Sequence, residues 1–267
     1  MNLNPNAIPT FVIALALYWL GMGLASPVKS NVGRVTLLVF GILLAIPSAL
    51  FVSYYLHVFD KATWFYQFRA FPCSELSSSG VGLIAGLVQA TFQPKTWAEK
   101  LFVPLVMGAL LFIPFVKAAL DPVDYSQLQV RCETEVCLQS TPSTCGPTSA
   151  ATLLKLFGQN SSEQELARED FTYRGGTEIW YVARSFRKRG LTADFVIQPP
   201  DRIGPPAPAI AGVVLPGGAG HFVAILSGND VEVRIGDPLK GELVIPRANL
   251  HNVYHFTGFF LVIGRRL

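Results

Sequence analysis

Long uncharged apolar stretches dominate the first 120 residues of the chain. Ala7–Pro27 and Val35–Leu56 contain no charged side chain, and each is long enough to cross a bilayer as a helix. Leu101–Val116 is shorter, but a lysine at each end can snorkel to an interface. Leu76–Pro94 is also uncharged, with a re-entrant or interfacial helix as the alternative to a span. The pattern predicts an all-α transmembrane bundle of three or, more favourably, four helices.

The first apolar stretch has no preceding Lys or Arg and no small-residue cleavage site, and further apolar stretches follow it. We therefore expect a retained membrane helix and not a cleaved signal peptide. Between the second and third stretches lies His57–Cys73, which is rich in aromatic residues. Aromatic residues at this density suit the headgroup region of a membrane, and packing on the helix bundle is the alternative.

The pattern changes near residue 121, so the predicted domains are 1–120 in the membrane and 121–267 outside it. Helices are predicted from Thr144 or Cys145 to Gly158, after the capping box at Ser162, and over Thr177–Arg189. Helices followed by strands indicate an α+β domain. The expected antiparallel strands are short β-rich runs between turn residues: Thr192–Ile197, Ala209–Leu215, His221–Leu226, Val231–Ile235 and Gly258–Ile263.

Composition agrees with a protein that is partly in the membrane. Hydrophobic residues make up 51%, charged residues 15%, and the mean hydropathy is +0.40. The net charge of +3 is small and scattered, which argues against nucleic acid as a partner. The chain contains no Gly-x-x-x-x-Gly-Lys-Ser/Thr loop, so we expect no nucleotide-driven motor in it. The basic run Arg184–Arg189 resembles the solvated face of a helix.

Orientation depends on the number of spans. With four, Lys29 and Arg34 in the first loop lie on the same side as Lys95 and Lys100 in the third. That side is cytoplasmic by the positive-inside tendency, which places the C-terminal domain outside the cytoplasm. With three spans, the C-terminal domain lies in the cytoplasm. We expect an integral protein of a bacterial inner membrane with an extracytoplasmic C-terminal domain.

Four residues of the C-terminal domain carry the components of an acyl-transfer site. Gln139 precedes Cys145 by six residues, and Cys145 opens an apolar helix after a Ser/Thr/Pro loop. A helix N-terminus and a neighbouring imidazolium both favour the thiolate form of a cysteine. His221 begins a predicted strand, and Asp237 ends the next one in a Gly-Asp-Pro turn. A carboxylate can orient the histidine as base, and a glutamine amide can stabilise an oxyanion.

Each of these residues also has a purely structural interpretation. Cys145 could be a buried structural cysteine, His221 a strand-start residue bonded to backbone, and Asp237 a turn residue. Cys132 and Cys137 are separated by four residues, with no nearby histidine to complete a zinc site. They could form a disulfide in an oxidising compartment.

Leu138–Leu154, Gly220–Val223 and Gly236–Pro238 together resemble the C39 peptidases, double-glycine cysteine proteases that process bacteriocins and are often fused to ABC transporters. The resemblance covers about residues 136–265 and implies a papain-like fold. Thr148 and Ser149 stand where family members commonly have small residues. The roles implied by the resemblance are nucleophile for Cys145, general base for His221, orienting acid for Asp237 and oxyanion donor for Gln139.

These observations predict a membrane-anchored cysteine peptidase that acts on peptide or protein substrates at the lipid bilayer. A non-catalytic peptide-binding module and an amidase or acyltransferase with the same triad are the alternatives. We expect no cofactor and no metal ion. Because no ABC motor is found in the sequence, any export machinery would be a separate partner.

Overall fold

The fold is α+β, with N-terminal helices followed by a domain built on an antiparallel sheet. The computed structural model describes residues 4–93, 95–129, 131–133, 135–199 and 204–266. They form two compact units. One comprises Pro72–Ala119 with the described residues before Lys61, and the other comprises Lys61–Phe71 with the described residues from Leu120 onwards. The chain passes into the C-terminal unit for good at Leu120, and this unit also includes Lys61–Phe71, which the sequence pattern does not indicate.

In the first unit, three helical segments are long and apolar enough to cross a membrane. Ser74–Phe92 is a 3₁₀ turn followed by an α-helix, and it is apolar enough to be a candidate span only together with the short helix Thr63–Ala70 that precedes it. The structure therefore contains three candidate spans, or four if this bent pair is one broken span. The helices of this part of the chain are α1 Ala7–Ala25, α2 Asn31–Tyr55, α3 Thr63–Ala70, α4 Val81–Phe92, α5 Trp97–Phe112 and α6 Val116–Leu120.

Helix α4 packs against α1 at backbone distance, because glycines replace side chains at the contact. A Cβ atom added at Gly82 would lie 2.0 Å from the Ala14 carbonyl oxygen, and one at Gly86 would lie 2.0 Å from that of Tyr18. Two small residues four apart lie on the same face of a helix and let backbones approach closely within apolar surroundings. The close packing explains why the bundle accommodates a helix of only 12 residues.

Gly82→Ala is therefore expected to destabilise this unit by about 1–3 kcal/mol, since the added methyl group meets rigid backbone. Thermal unfolding in detergent measures the effect. The matched control is Gly108→Ala in α5, where an added Cβ has no neighbour within 4 Å. Equal melting temperatures for the two variants would contradict the close α1–α4 packing.

The second unit is built on a six-stranded antiparallel sheet of order β3-β8-β4-β5-β6-β7. The five predicted strands are all present, but β7 was not predicted because its apolar run is only the three residues Leu243–Ile245. Its helices are α7 Cys145–Leu156, α8 Glu163–Glu169, α9 Ile179–Lys188 and α10 Leu250–Val253. The strands are β1 Cys132–Glu133, β2 Val136–Cys137, β3 Leu191–Ile197, β4 Ala209–Val214, β5 Gly220–Gly228, β6 Glu232–Asp237, β7 Gly241–Pro246 and β8 His255–Arg265.

The aromatic segment between α2 and α4 packs on this sheet domain, which neither sequence interpretation anticipated. The Tyr66 ring of α3 lies 4.8 Å from that of Phe259 and 5.5 Å from that of Phe195. The Arg69 guanidinium is buried and stacks 4.0 Å from the ring of Trp180. Lys61–Phe71 is therefore an integral part of the C-terminal unit, although more than 100 residues separate it from its contacts.

The expectation that Arg184–Arg189 forms a solvated face is wrong for three of its arginines. Arg184 donates a hydrogen bond of 2.6 Å to the Arg69 carbonyl oxygen. Arg187 donates to the Ala193 carbonyl oxygen at 2.6 Å and to the Gln67 side chain. Arg189 forms an ion pair of 2.8 Å with Glu169. These side chains hold α9 against its neighbours, because half-buried guanidinium groups need several hydrogen-bond acceptors.

Candidate active site

Helix α7 places Cys145 at its first residue, against the face of the sheet. The helix is almost wholly buried from Cys145 to Leu154. The Ser149 hydroxyl donates to the Phe222 carbonyl oxygen of β5 at 3.1 Å, and the Thr152 hydroxyl accepts from the Cys137 N–H at 3.0 Å. These bonds fix the helix to β5 and β2. They also explain why position 149 carries a hydroxyl group, whereas the resemblance leads one to expect only a small residue there.

His221 and Asp237 meet across two neighbouring antiparallel strands. Ala224 of β5 pairs with Gly236 of β6, so the side chains of His221 and Asp237 project from the same face as diagonal neighbours. The His221 Nε2 atom lies 2.9 Å from Asp237 Oδ1, and both side chains are buried. The contact is thus a consequence of strand register.

Cys145 completes a Cys–His–Asp arrangement, because its thiol is among the groups that raise the pKa of the His221 imidazole. Burial by itself lowers the pKa of His221, but hydrogen bonds to Asp237 and Cys145 and their negative charges outweigh burial and raise that pKa to about 9. Burial also opposes ionisation of Asp237, yet hydrogen bonds from His221, Tyr254 and the Leu239 N–H lower its pKa. The arrangement therefore stabilises an imidazolium beside an ionised carboxylate.

Gln139 is joined to this chain through its backbone. Its N–H donates to the Pro238 carbonyl oxygen at 2.9 Å, which fixes it to the turn that carries Asp237. Its side-chain Nε2 donates to the Thr141 carbonyl oxygen at 2.7 Å, and a primary amide has a second N–H. The structure thus brings Cys145, His221 and Asp237 together and holds Gln139 on the adjoining loop.

The other three histidines lie elsewhere. His57 is exposed and pairs with Asp60 at 2.9 Å, His251 contacts the Phe256 ring edge, and His255 is exposed on β8. Among the described residues, no group of three or more His, Cys, Asp or Glu side chains is placed to hold a metal ion.

The loop after Gln139 has a buried carboxylate that the sequence did not reveal. Glu163, at the start of α8, is 3% exposed. It accepts hydrogen bonds from the Ser140 N–H at 2.8 Å and from the Ser140 hydroxyl at 2.6 Å. Its position after Ser162 indicates only helix capping, so no local signal distinguishes it.

Tyr254 was also missed, because an isolated tyrosine before a strand has no spacing that marks it. Its hydroxyl donates to Asp237 Oδ2 at 2.5 Å. The Leu239 N–H donates to Asp237 Oδ1 at 2.9 Å. The carboxylate consequently receives three hydrogen bonds within the protein interior.

Cys132 and Cys137 form a disulfide that closes the β1–β2 hairpin. The hairpin leads directly into Gln139, and its Val136 side chain lies against Gly236, where an added Cβ would be 3.2 Å away. The disulfide therefore stabilises the hairpin that directly precedes Gln139, the candidate oxyanion donor.

Glu163→Gln is expected to lower the free energy of unfolding of the C-terminal unit by roughly 1.5 kcal/mol, because it weakens the charge-assisted hydrogen bonds to Ser140. Thermal unfolding measures the effect. The matched control is Glu165→Gln on the same helix, whose side chain is 56% exposed. A larger loss in the control would contradict the role of Glu163.

Comparison with known proteins gives a family match for the C-terminal part of the chain. Residues 133–266 match the model of the Peptidase C39 family. An uncharacterized protein of Methanothermobacter marburgensis is 30% identical over 127 residues, covering 48% of this chain and 86% of the relative. An uncharacterized protein of Methanothermobacter thermautotrophicus is 28% identical, covering 49% of this chain and 88% of the relative.

Two similar solved structures are peptidase domains of transporters. One is a double glycine motif protease from an AMS/PCAT transporter in complex with the leader peptide, with 23% identity, a TM-score of 0.43, and coverage of 52% of this chain and 96% of its own. The other is the peptidase domain of Streptococcus ComA, with 19% identity, a TM-score of 0.40, and coverage of 52% and 98%. The family match spans half of the sequence, and the chain therefore belongs to the C39 peptidase family.

Proposed function

We propose that this protein is a membrane-anchored cysteine peptidase that cleaves peptide or protein substrates. The observation that carries the proposal is the buried His221–Asp237 pair at 2.9 Å, with Cys145 at the N-terminus of a buried helix and among the groups that raise the His221 pKa. A raised His221 pKa favours an imidazolium, and an imidazolium favours the thiolate beside it. Nucleophilic acyl transfer requires these groups together.

In the proposed reaction, the Cys145 thiolate attacks the scissile carbonyl carbon and forms a carbon–sulfur bond. The negative charge passes to the carbonyl oxygen, which Gln139 stabilises through its second amide N–H. His221 then gives its proton to the leaving amine as the carbon–nitrogen bond breaks. A water molecule loses a proton to His221 and attacks the acyl-enzyme, which releases the acid and restores the thiolate–imidazolium pair.

An activity-based thiol probe tests the nucleophile. The experiment uses a Cys73→Ser background, because Cys73 is exposed and Cys145 is the other free cysteine among the described residues. The probe is expected to label this protein at Cys145 and to lose its signal when Cys145→Ala is added. Equal labelling of the double variant would overturn the assignment. Reductant is omitted, so that Cys132 and Cys137 remain in their disulfide.

Peptide-library profiling then separates the three classes of function. A peptidase cleaves members of the library in a manner that requires Cys145, and an amidase or acyltransferase leaves internal peptide bonds intact. A binding module retains peptides in both the parent and Cys145→Ala without releasing products. A matched pair of peptides with and without Gly-Gly tests whether this chain shares the specificity named for its similar structure.

We also propose four membrane spans and an extracytoplasmic catalytic domain. Lys61–Phe71 and the peptidase domain belong to one compact unit, so both segments are expected on the same side of the bilayer. The intervening chain must then cross an even number of times, so we propose that Ser74–Phe92, one part of the bent pair with Thr63–Ala70, spans along with Trp97–Leu120. The disulfide further favours an oxidising compartment.

Cysteine labelling of intact cells tests this topology in a background of Cys73→Ser and Cys145→Ala. Asp230→Cys, at a fully exposed site of the peptidase domain, is expected to react with an impermeant maleimide before permeabilisation. Lys29→Cys, in the loop between α1 and α2, is expected to react only afterwards. The same accessibility for both sites would indicate three spans, and the reverse pattern would indicate a cytoplasmic domain.

A further inference from the structure

We propose that Tyr254 is a positioning residue of the catalytic triad, which holds the Asp237 carboxylate in the orientation that His221 requires. The inference rests on the proposed function of the triad. Tyr254 lies between α10 and β8 and is 3% exposed. Its ring packs in a core cluster with Leu250, Phe256 and Phe260, so the position of its hydroxyl is determined by the surrounding core.

The two carboxylate oxygens of Asp237 have different donors. Oδ1 accepts from His221 Nε2 and from the Leu239 N–H, both at 2.9 Å. Oδ2 accepts from the Tyr254 hydroxyl at 2.5 Å. A carboxylate that is fully buried stays ionised only when donors replace its lost hydration. Tyr254 supplies such a donor on the oxygen that faces away from the imidazole, and thereby prevents rotation of the carboxylate.

The electrostatics of the pair fit this role. Burial and the neighbouring charge of Asp237 raise the pKa of Tyr254, so its hydroxyl remains a donor throughout the neutral range. The ionisable groups around the carboxylate, besides Tyr254, are His221, Cys145 on the far side of His221, and Lys240. The Lys240 ammonium lies 5.2 Å from the centroid of the Tyr254 ring. Removing the hydroxyl therefore acts on His221 and Cys145 through Asp237.

The pH dependence of Cys145 alkylation by iodoacetamide tests the proposal without any substrate. In a Cys73→Ser background, Tyr254→Phe keeps the ring and removes one donor from Asp237. The pKa of Asp237 then rises, and the acid inflection of the alkylation rate is expected to move to higher pH. For a cleaved peptide, kcat/KM is expected to fall by about 10-fold, mainly through kcat. Tyr181→Phe, a buried tyrosine of α9, is the matched control.

A second measurement distinguishes positioning from general packing. If Tyr254 acts through Asp237, Tyr254→Phe causes no further shift in alkylation when Asp237→Asn is already present. An unchanged inflection in the single variant, or a full additional shift in the double variant, would overturn the proposal. If the parent protein cleaves no peptide, the proposed peptidase function fails, while the alkylation profiles still decide the role of Tyr254.

Discussion

Replacing Cys145 by alanine is expected to lower kcat/KM for a cleaved peptide by roughly 10³-fold or more, because the nucleophile is lost. His221→Ala is expected to have an effect of the same order. His221 is paired with Asp237 and interacts with Cys145, so its removal takes away the proton carrier and the partner of the thiolate together. Steady-state hydrolysis of a peptide selected from the library measures both variants.

The matched control for the first variant is Cys73→Ser, which removes the exposed free cysteine and should leave turnover unchanged. Thermal unfolding of each variant verifies that folding is preserved. Turnover by Cys145→Ala within a few-fold of the parent would assign the observed cleavage to another group, and the proposed nucleophile would be wrong.

Asp237→Asn is expected to be the milder of the triad changes, with a loss on the order of 10²-fold. An amide oxygen at the Oδ1 position can still accept from His221 and from the Leu239 N–H, and the Tyr254 hydroxyl can accept from the new amide N–H. Orientation is thus partly retained, but the negative charge is lost. Gln139 and the backbone continue to stabilise the oxyanion in the variant.

Loss of the Asp237 charge is expected to shift the pH profile of activity in a defined direction. Activity that needs the imidazolium is present below the His221 pKa of about 9 and is lost as the pH rises through it. Without the Asp237 charge that pKa falls, so the alkaline limb of the kcat profile is expected at lower pH. Cys145→Ala/Asp237→Asn should be no slower than Cys145→Ala, because a triad fails as a unit. Strict additivity, or an unshifted alkaline limb, would make Asp237 a turn residue.

Local patterns were sufficient to predict much of the fold. Apolar runs predicted the long helices α1 and α2, and capping signals predicted α7 and α8, because these features depend on residues within a few turns of one another. Alternating β-rich runs predicted five strands of the sheet. The edge strand β7 was not predicted, since its apolar run is only the three residues Leu243–Ile245 between Glu242 and Pro246.

The candidate site, too, combines local motifs that the sequence reveals with long-range contacts that it does not. The four site residues stand in recognisable local motifs, and their catalytic roles remain predictions. The supporting contacts are not local: Tyr254 reaches Asp237 across 17 residues, and Glu163 reaches Ser140 across 23. The register that brings Asp237 to His221 includes an irregularity between Ile225 and Ser227, which alternation along either strand does not reveal.

The sequence by itself determined the candidate membrane helices, the α+β class and the candidate nucleophile, base, acid and oxyanion donor, because each depends on nearby residues. Tertiary structure alone decided that Lys61–Phe71 belongs to the peptidase unit and that Tyr254 supports Asp237. Such contacts form where distant segments bury surface together. The energy of that burial depends on the shape of the packed surfaces and on which segment is the partner. The spacing of residues along one segment indicates neither.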